Sequence, residues 1–477
     1  MGVTIREAVP SGHKFAISPV PGGDPIRKYG QIIGFAKDAI EPGAWVHEHN
    51  VALEAFTRDY RFCESVREEE TLPEHLRATF QGYPRANGKT GTRNYIGIIA
   101  SVNCSASVVR IAAEEAMRLD LAADYPEIDG FVPIVHGAGC GMASSGDGFQ
   151  TLSRTLRGYA VHPNFGGVVM VGLGCEVLQI PQMMQEQGLR ETDTFRTLTI
   201  QDIGGTRKSV ETIIAMLREM VPLVGAARRE ARPASELILG MQCGGSDGYS
   251  GLTANPALGA ASDLLVRHGG TSVLSETPEI YGAEHLLTAR AVTREVGEKL
   301  MQRIRWWEAY VAAAKGEMNN NPSPGNKLGG LTTILEKSLG AVAKGGTANL
   351  RAVYEYAEPV CEHGFVFMDT PGYDPVSATG QVAGGANMIT FTTGRGSAFG
   401  AKPAPSLKLA SNSELFRNMA DDMDINCGDI LNGTSIEDKG REIFEAILEV
   451  ASGRRPKSEM LGYGHHEFVP WQIGAVM

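Results

Sequence analysis

The sequence predicts an α/β body with mostly parallel sheets, preceded by a small β-rich domain. Three observations carry this. Tyr95–Ala100, Gly167–Gly172, Leu237–Gly240, Thr271–Leu274, Phe365–Met368 and Met388–Phe391 are continuous apolar runs. Strands covered on both faces need such runs, where half-exposed strands would alternate. The runs end in glycine, cysteine or polar loops, and amphipathic stretches follow, among them 106–119 and 285–315. Residues 1–52 differ: short β-like runs sit between turn signals.

In that first domain Phe15–Ile17, Gln31–Ala36 and Trp45–His47 are the strand candidates. Pro21-Gly22-Gly23-Asp24 and Glu41-Pro42-Gly43 supply turns. Residues 53–84 read as a linker. Its run Arg67-Glu68-Glu69-Glu70 has the pattern of a solvated face, and Pro73 leads into a short helix-compatible stretch. Residues 85–230 form a first α/β domain and 231–477 a second. The basic, proline-bearing stretch Ala226–Pro233 divides them. No internal repeat is visible.

Composition narrows the class. Apolar residues make up 43% of the 477, enough for a buried core, so bulk disorder is excluded. The 58 glycines are about 12% of the chain, against an average of roughly 7%. They are not periodic, which excludes a collagen-like chain. They gather where the chain turns tightly or can approach a ligand closely. A net charge of -11 and a pI near 5.6 argue against a nucleic-acid partner, which needs a basic surface. No run is long and apolar enough for a membrane span. The N-terminus lacks a signal-peptide pattern, and seven cysteines is an odd count. Both point to a cytoplasmic protein with reduced thiols. A homodimer is compatible with an acidic α/β chain of this size.

In open α/β sheets, ligands bind beyond the carboxyl ends of the strands. Here those ends carry Val102–Ser105, His136–Gly141, Gly172–Glu176, Gln242–Gly248 and Thr393–Gly396. Four cysteines fall there: Cys104, Cys140, Cys175 and Cys243. They can be thiolate ligands to a metal or an iron–sulfur cluster, or simply small, easily buried residues; no CxxC spacing decides. His47 and His49 alternate along one strand, so both point to the same face. With His13 they make either the start of a metal site or a surface group. Asn321–Lys327 is a rigid polar loop in which Lys327 can hold a carboxylate or activate a proton. Gly394-Arg395-Gly396 sets a guanidinium between two glycines, as a bidentate carboxylate clamp requires. The chain has no GxxxxGK[ST] and no strand-linked GxGxxG, which excludes P-loop and dinucleotide sites.

Several stretches are familiar together. They are Gly12–Ala16, Lys28–Gly30, His47–Asn50, Gly88–Asn94, Gly172–Glu176, Cys243–Asp247, Thr253–Pro256, Pro324–Lys327 and Thr393–Gly396. Across nearly its full length the chain resembles the altronate/galactarate dehydratase family, which also includes sulfolactate sulfo-lyases. The resemblance implies an N-terminal SAF-like β domain on an α/β body. It implies a hydro-lyase that converts a hexonate or hexarate to a 2-dehydro-3-deoxy acid, activated by Fe²⁺ or a similar divalent metal such as Mn²⁺; an iron–sulfur dehydratase carried by Cys104, Cys140, Cys175 and Cys243 is the competing reading of the cysteines. Asn321–Pro324 and Ser275–Glu279 look closer to altronate-type members. The chain starts close to the His13 motif, so the first strands are shorter than in some relatives.

Such a reaction removes a weakly acidic proton beside a carboxylate. It needs a base, an acid for the departing hydroxyl, and fixed positive charge for the intermediate. The residues assigned to this work are His13, Asp247 and Lys327 for catalysis. Lys14, Arg395, Gly244, Gly245, Ser246 and Asn326 are assigned to the substrate, the two glycines exposing backbone N–H groups to hydroxyls. His13, His47, His49 and Glu176 are assigned to the metal. Within the family, galactarate and sulfolactate are the competing substrates. A non-catalytic sugar-acid binder is the alternative from another class.

Overall fold

A computed structural model describes residues 2–56, 58–474 and 476. Its largest element is a seven-stranded parallel sheet. The order is Leu350–Tyr354, Gly364–Met368, Thr271–Leu274, Ile238–Cys243, Met388–Thr393, Ser406–Ala410, Ile425–Asn426. The chain enters at Ile238–Cys243, builds outward on one side, then returns to start the other side at Met388–Thr393. That reversal puts a topological switch point between these two strands, which pair in register from Leu239 with Met388 to Cys243 with Thr392. Both strands are buried along almost their whole length because helices cover both faces.

A second parallel sheet has the order Phe195–Thr199, Phe165–Gly172, Tyr95–Ala100, Gly130–Ile134. The two sheets share a core. Leu152, Leu156 and Tyr159 of the helix Asp147–Ala160 pack in one cluster with Val376, Val382 and Ala383 of the helix Asp374–Gly384. Each such side chain contributes roughly 1.5–3 kcal/mol by leaving water, so the two units are bound by more than their connecting chain.

The N-terminal β domain closes on its own small core of Ala16, Ile26, Ile33, Ala36, Ile40, Val46 and Val51. Gln31–Ala36 is its central strand, paired antiparallel with Pro25–Lys28 and Val51–Ala52; Lys14–Phe15 pairs with Trp45–Val46.

Two expectations change. The segment read as linker contains the strand Thr79–Pro84, which pairs antiparallel with Glu230–Pro233, the stretch read as a divider. Phe80 and Tyr83 are buried there, a signal overshadowed by the charges before it. That charge run is not wholly solvated either: Glu69 pairs with Arg351 at 2.6 Å. Four five-residue strands of the two parallel sheets escaped the pattern search: Gly130–Ile134, Phe195–Thr199, Leu350–Tyr354 and Ser406–Ala410. The first carries Pro133, tolerated because that strand lies at the sheet edge. The last carries Lys408, fully buried with its ammonium donating to the Ser397 carbonyl at 2.9 Å.

Candidate active site

The switch point is built from two glycine-bearing loops. After Cys243 the chain runs through Gly244, Gly245, Ser246 and Asp247; after Thr393 it runs through Gly394 and Arg395. Gly244 N–H donates to Thr392 O (3.1 Å), and Gly394 and Arg395 N–H donate to Gly245 O (3.1 and 2.9 Å). A Cβ on Gly394 would lie 2.1 Å from Asp247 Cγ, so no larger residue fits. Asp247 is a buried clasp. Its Oδ1 accepts from Tyr249 N, Ser250 N, Ser250 Oγ and Ser411 Oγ at 2.8–3.1 Å, and its Oδ2 from Asn412 Nδ2 at 3.1 Å. Asn326 Nδ2 donates to Ser246 O at 2.9 Å, and its Oδ1 closes a capping box with Ser323 at the start of the helix Pro324–Leu328.

The same strand ends hold a layer of buried charge. Lys344 pairs with Glu276 at 2.9 Å and Lys337 with Glu279 at 2.7 Å. Asn321 donates to Glu279 at 2.8 Å and accepts from Lys337 at 2.7 Å. Cys243 Sγ lies 3.2 Å from Glu279 and 3.6 Å from Glu276. Burial pushes the Cys243 thiol well up. Burial also raises Glu276, against the pull of Lys344. Glu279 differs: burial pushes it up, but Lys337 and Lys344 more than offset this and the carboxyl is lowered. Asp374 is raised well above its ordinary value by burial and by Glu276 and Glu279. Glu276 has φ +69°, a conformation non-glycine residues avoid, and its Oε1 is buried without a partner.

The β domain sits against this region. Ser11 Oγ and Tyr249 Oη are 2.6 Å apart, and His13 Nε2 lies 3.2 Å from Leu328 O. Lys14 donates to Gly330 O at 2.7 Å and pairs with Glu336 at 2.8 Å; Lys28 reaches the other Glu336 oxygen at 3.0 Å. His13 accepts from Trp45 Nε1 at 3.2 Å, and Trp45 stacks on His47. Burial, then the nearby His13 and Lys14, lower His47 to about 4, and its Nδ1 is buried without a partner. Lys327 pairs with Glu48 at 2.7 Å. Arg395 is exposed, and among the described residues its guanidinium makes no ion pair. It lines a depression of roughly 320 Å³ with Ser11, Asp247, Tyr249 and Asn412.

Three family descriptions match the chain: the altronate/galactarate dehydratase SAF domain over residues 1–54, the D-galactarate dehydratase/altronate hydrolase second domain over 82–225, and the D-galactarate/altronate dehydratase C-terminal domain over 234–476. The chain belongs to the galactarate/altronate dehydratase family. It is similar to the galactarate dehydratase (L-threo-forming) of Escherichia coli K12, with 40% identity over 95% of this chain and 88% of that protein. The altronate dehydratase of Bacillus subtilis 168 is 33% identical over 95% of this chain and 90% of that protein. The (2R)-sulfolactate sulfo-lyase subunit beta of Chromohalobacter salexigens is 30% identical over 82% and 96%. The chain is a dehydratase-type enzyme, a hydro-lyase. No described helix is long and apolar enough to cross a membrane.

In this hydro-lyase the structure gathers most of the expected residues on one side. His13, Lys14, His47, Gly244, Gly245, Ser246, Asp247, Asn326, Lys327 and Arg395 surround the switch point and its junction with the β domain. His49 is exposed at the rim, against Trp45. Glu176 stands apart at the carboxyl end of the smaller sheet, accepting from Ser101 Oγ, Leu173 N and Gly174 N. Cys104, Cys140 and Cys175 share that end, whereas Cys243 belongs to the larger sheet. Among the described residues, the metal-ligating atoms of three residues come within 4.8 Å of one another only at Cys243, Glu276 and Glu279. The histidines do not converge so closely, and His13 has both nitrogens engaged. Sequence reasoning passed over Glu276, Glu279, Lys337, Lys344 and Asp374 as site residues. The available signal was Glu-x-x-Glu directly after a strand, with two lysines spaced two helical turns apart.

Proposed function

We propose that this hydro-lyase removes water from a six-carbon sugar acid, galactarate first and altronate second, to give a 2-keto-3-deoxy acid. The observation that carries this is the buried Glu276–Lys344 and Glu279–Lys337 layer at the switch point. Two carboxyls whose surroundings drive them in opposite directions are what paired acid–base chemistry needs. Glu279, held ionised by Lys337, takes the C2 proton. Asp374, pushed well above the ordinary carboxyl range by burial and by Glu276 and Glu279, returns a proton to the departing C3 hydroxyl. The lysine ammoniums stabilise the negative charge that develops beside the substrate carboxylate. Arg395, over the depression at Asp247, binds a carboxylate of the substrate. The greater identity to the galactarate enzyme supports the hexarate ahead of the altronate expected from Ser275–Glu279.

A divalent ion such as Fe²⁺ or Mn²⁺ would supply Lewis-acid chemistry. Neither donor set suits it well. The histidines do not converge, and at Cys243, Glu276 and Glu279 two lysines already neutralise the carboxylates while the thiol is held protonated. The proton steps are therefore assigned to this chain's own side chains.

The test is anaerobic incubation of the purified protein with galactarate, altronate and sulfolactate, with and without added Fe²⁺ or Mn²⁺, following keto acid and sulfite. Keto acid from either sugar acid supports the proposal and names the substrate. Sulfite release, or no product from all three by folded protein, overturns it.

A further inference from the structure

Three cysteines that the switch-point chemistry does not use lie together at strand ends. Cys104 follows the strand Tyr95–Ala100, Cys140 follows Gly130–Ile134, and Cys175 follows Phe165–Gly172. In the sheet these strands are neighbours, with Tyr95–Ala100 in the middle and all three parallel. The cysteines thus sit at the carboxyl ends of three adjacent strands. Their loops are tied together. Asn103 N–H, beside Cys104, donates to Ala138 O at 3.0 Å; Val177 N–H, just past Cys175, donates to Gly139 O, beside Cys140, at 3.1 Å. Gly139 has φ +101°, and a Cβ there would lie 2.6 Å from Ser101 O, so glycine is what lets the Cys140 loop press against the Cys104 strand.

All three thiols are free and exposed, unlike Cys243 and Cys427, which are buried. A thiol kept merely as a small apolar residue would be buried. Each loop leads into a helix, at Ala106, Asp147 and Ile180. The three sulfurs do not converge within the reach of one shared ion. A four-iron cluster is wider, and takes its thiolates at separate corners.

We propose that Cys104, Cys140 and Cys175 hold a [4Fe–4S] cluster by three thiolates. Each thiol gives up its proton on ligation, and the core balances without an oxidant when two ferric and two ferrous ions combine with four sulfides. One iron is left without a cysteine and is open to an oxygen or nitrogen donor of a small molecule. The cluster stands independently of the dehydration assigned to the switch point and is tested without substrate.

The experiment is anaerobic purification of the full chain, reconstitution with equal amounts of ferrous and ferric iron and with sulfide, and measurement of bound iron, acid-labile sulfide, visible charge-transfer absorption and the EPR signal of the reduced protein. The expected result is four irons and four sulfides per chain. Cys104→Ser, Cys140→Ser and Cys175→Ser should each lose the signal while keeping the thermal melting of the parent, since all three side chains are exposed. Cys361→Ser, also exposed but elsewhere, should keep it. Iron without sulfide, zinc in place of iron, no metal at all, or full cluster content in the three variants would each overturn the inference. Cluster without turnover would instead count against the sugar-acid reading alone.

Discussion

Lys344 and Glu276 form an ion pair of 2.9 Å in which both side chains are fully inaccessible to solvent. One stands just past the end of the helix Ile334–Ala343 and the other just past the strand Thr271–Leu274. Neither charge can be solvated if its partner is lost. We expect Lys344→Met to cost about 3–5 kcal/mol in urea unfolding, the usual penalty for stranding a buried charge. Lys344→Met with Glu276→Gln should recover part of that loss. Equal stability of the single variant and the parent would show that the pair is not buried in solution.

Glu279 is the assigned base. Glu279→Gln keeps the shape and the hydrogen bonds of Asn321, but cannot take a proton. Turnover should fall by about 10²–10⁴, with little change in KM. A variant within a few-fold of the parent in kcat would remove Glu279 from the chemistry.

Arg395 lies in the open and supports no neighbour, so its removal should spare the fold. Arg395→Ala is expected to raise KM for the sugar acid about tenfold or more, while the melting temperature stays put. Arg395→Lys should recover little, because an ammonium lacks the two-pronged geometry that meets a carboxylate.

Acid should destabilise the protein through two buried histidines. Burial lowers His136 to about 4 and His162 to about 3, each against a raising hydrogen bond to a backbone carbonyl. Below pH 6.5 the unfolded chain takes up protons that the folded chain refuses, so stability falls as pH drops from 6.5 toward about 4. Each histidine contributes on the order of 3 kcal/mol across its window, and this contribution is fully present above pH 6.5. His162→Asn should flatten the dependence in denaturant melts at a series of pH values. An unchanged slope would show that His162 is not held neutral.

Much of the fold was legible along the chain. Tyr95–Ala100, Gln31–Ala36 and Thr271–Leu274 match the strands read from apolar runs, because a strand covered on both faces has nothing polar to hide. Ser406–Ala410 and Phe195–Thr199 were not legible, since a buried lysine or an edge position breaks that pattern. At the site, glycines beside Cys243 and Arg395 marked the strand ends, the carboxyl-end loops pointed to Asp247, and the rigid polar loop Asn321–Lys327 pointed to Lys327. What Asp247 does was hidden: only the fold brings Ser411 and Asn412 to it.

The sequence by itself determined the class, most element types, the strand ends that carry the candidate residues, and the family. These depend on local periodicity and short motifs, which a linear chain displays. The tertiary structure decided which ends face one another. It paired Lys337 and Lys344 with glutamates some sixty residues away along the chain. It set Glu176 and three cysteines on one sheet and Cys243 on another. Charge partnership at a buried site is a matter of distance and desolvation, and neither is written in the spacing of residues along the chain.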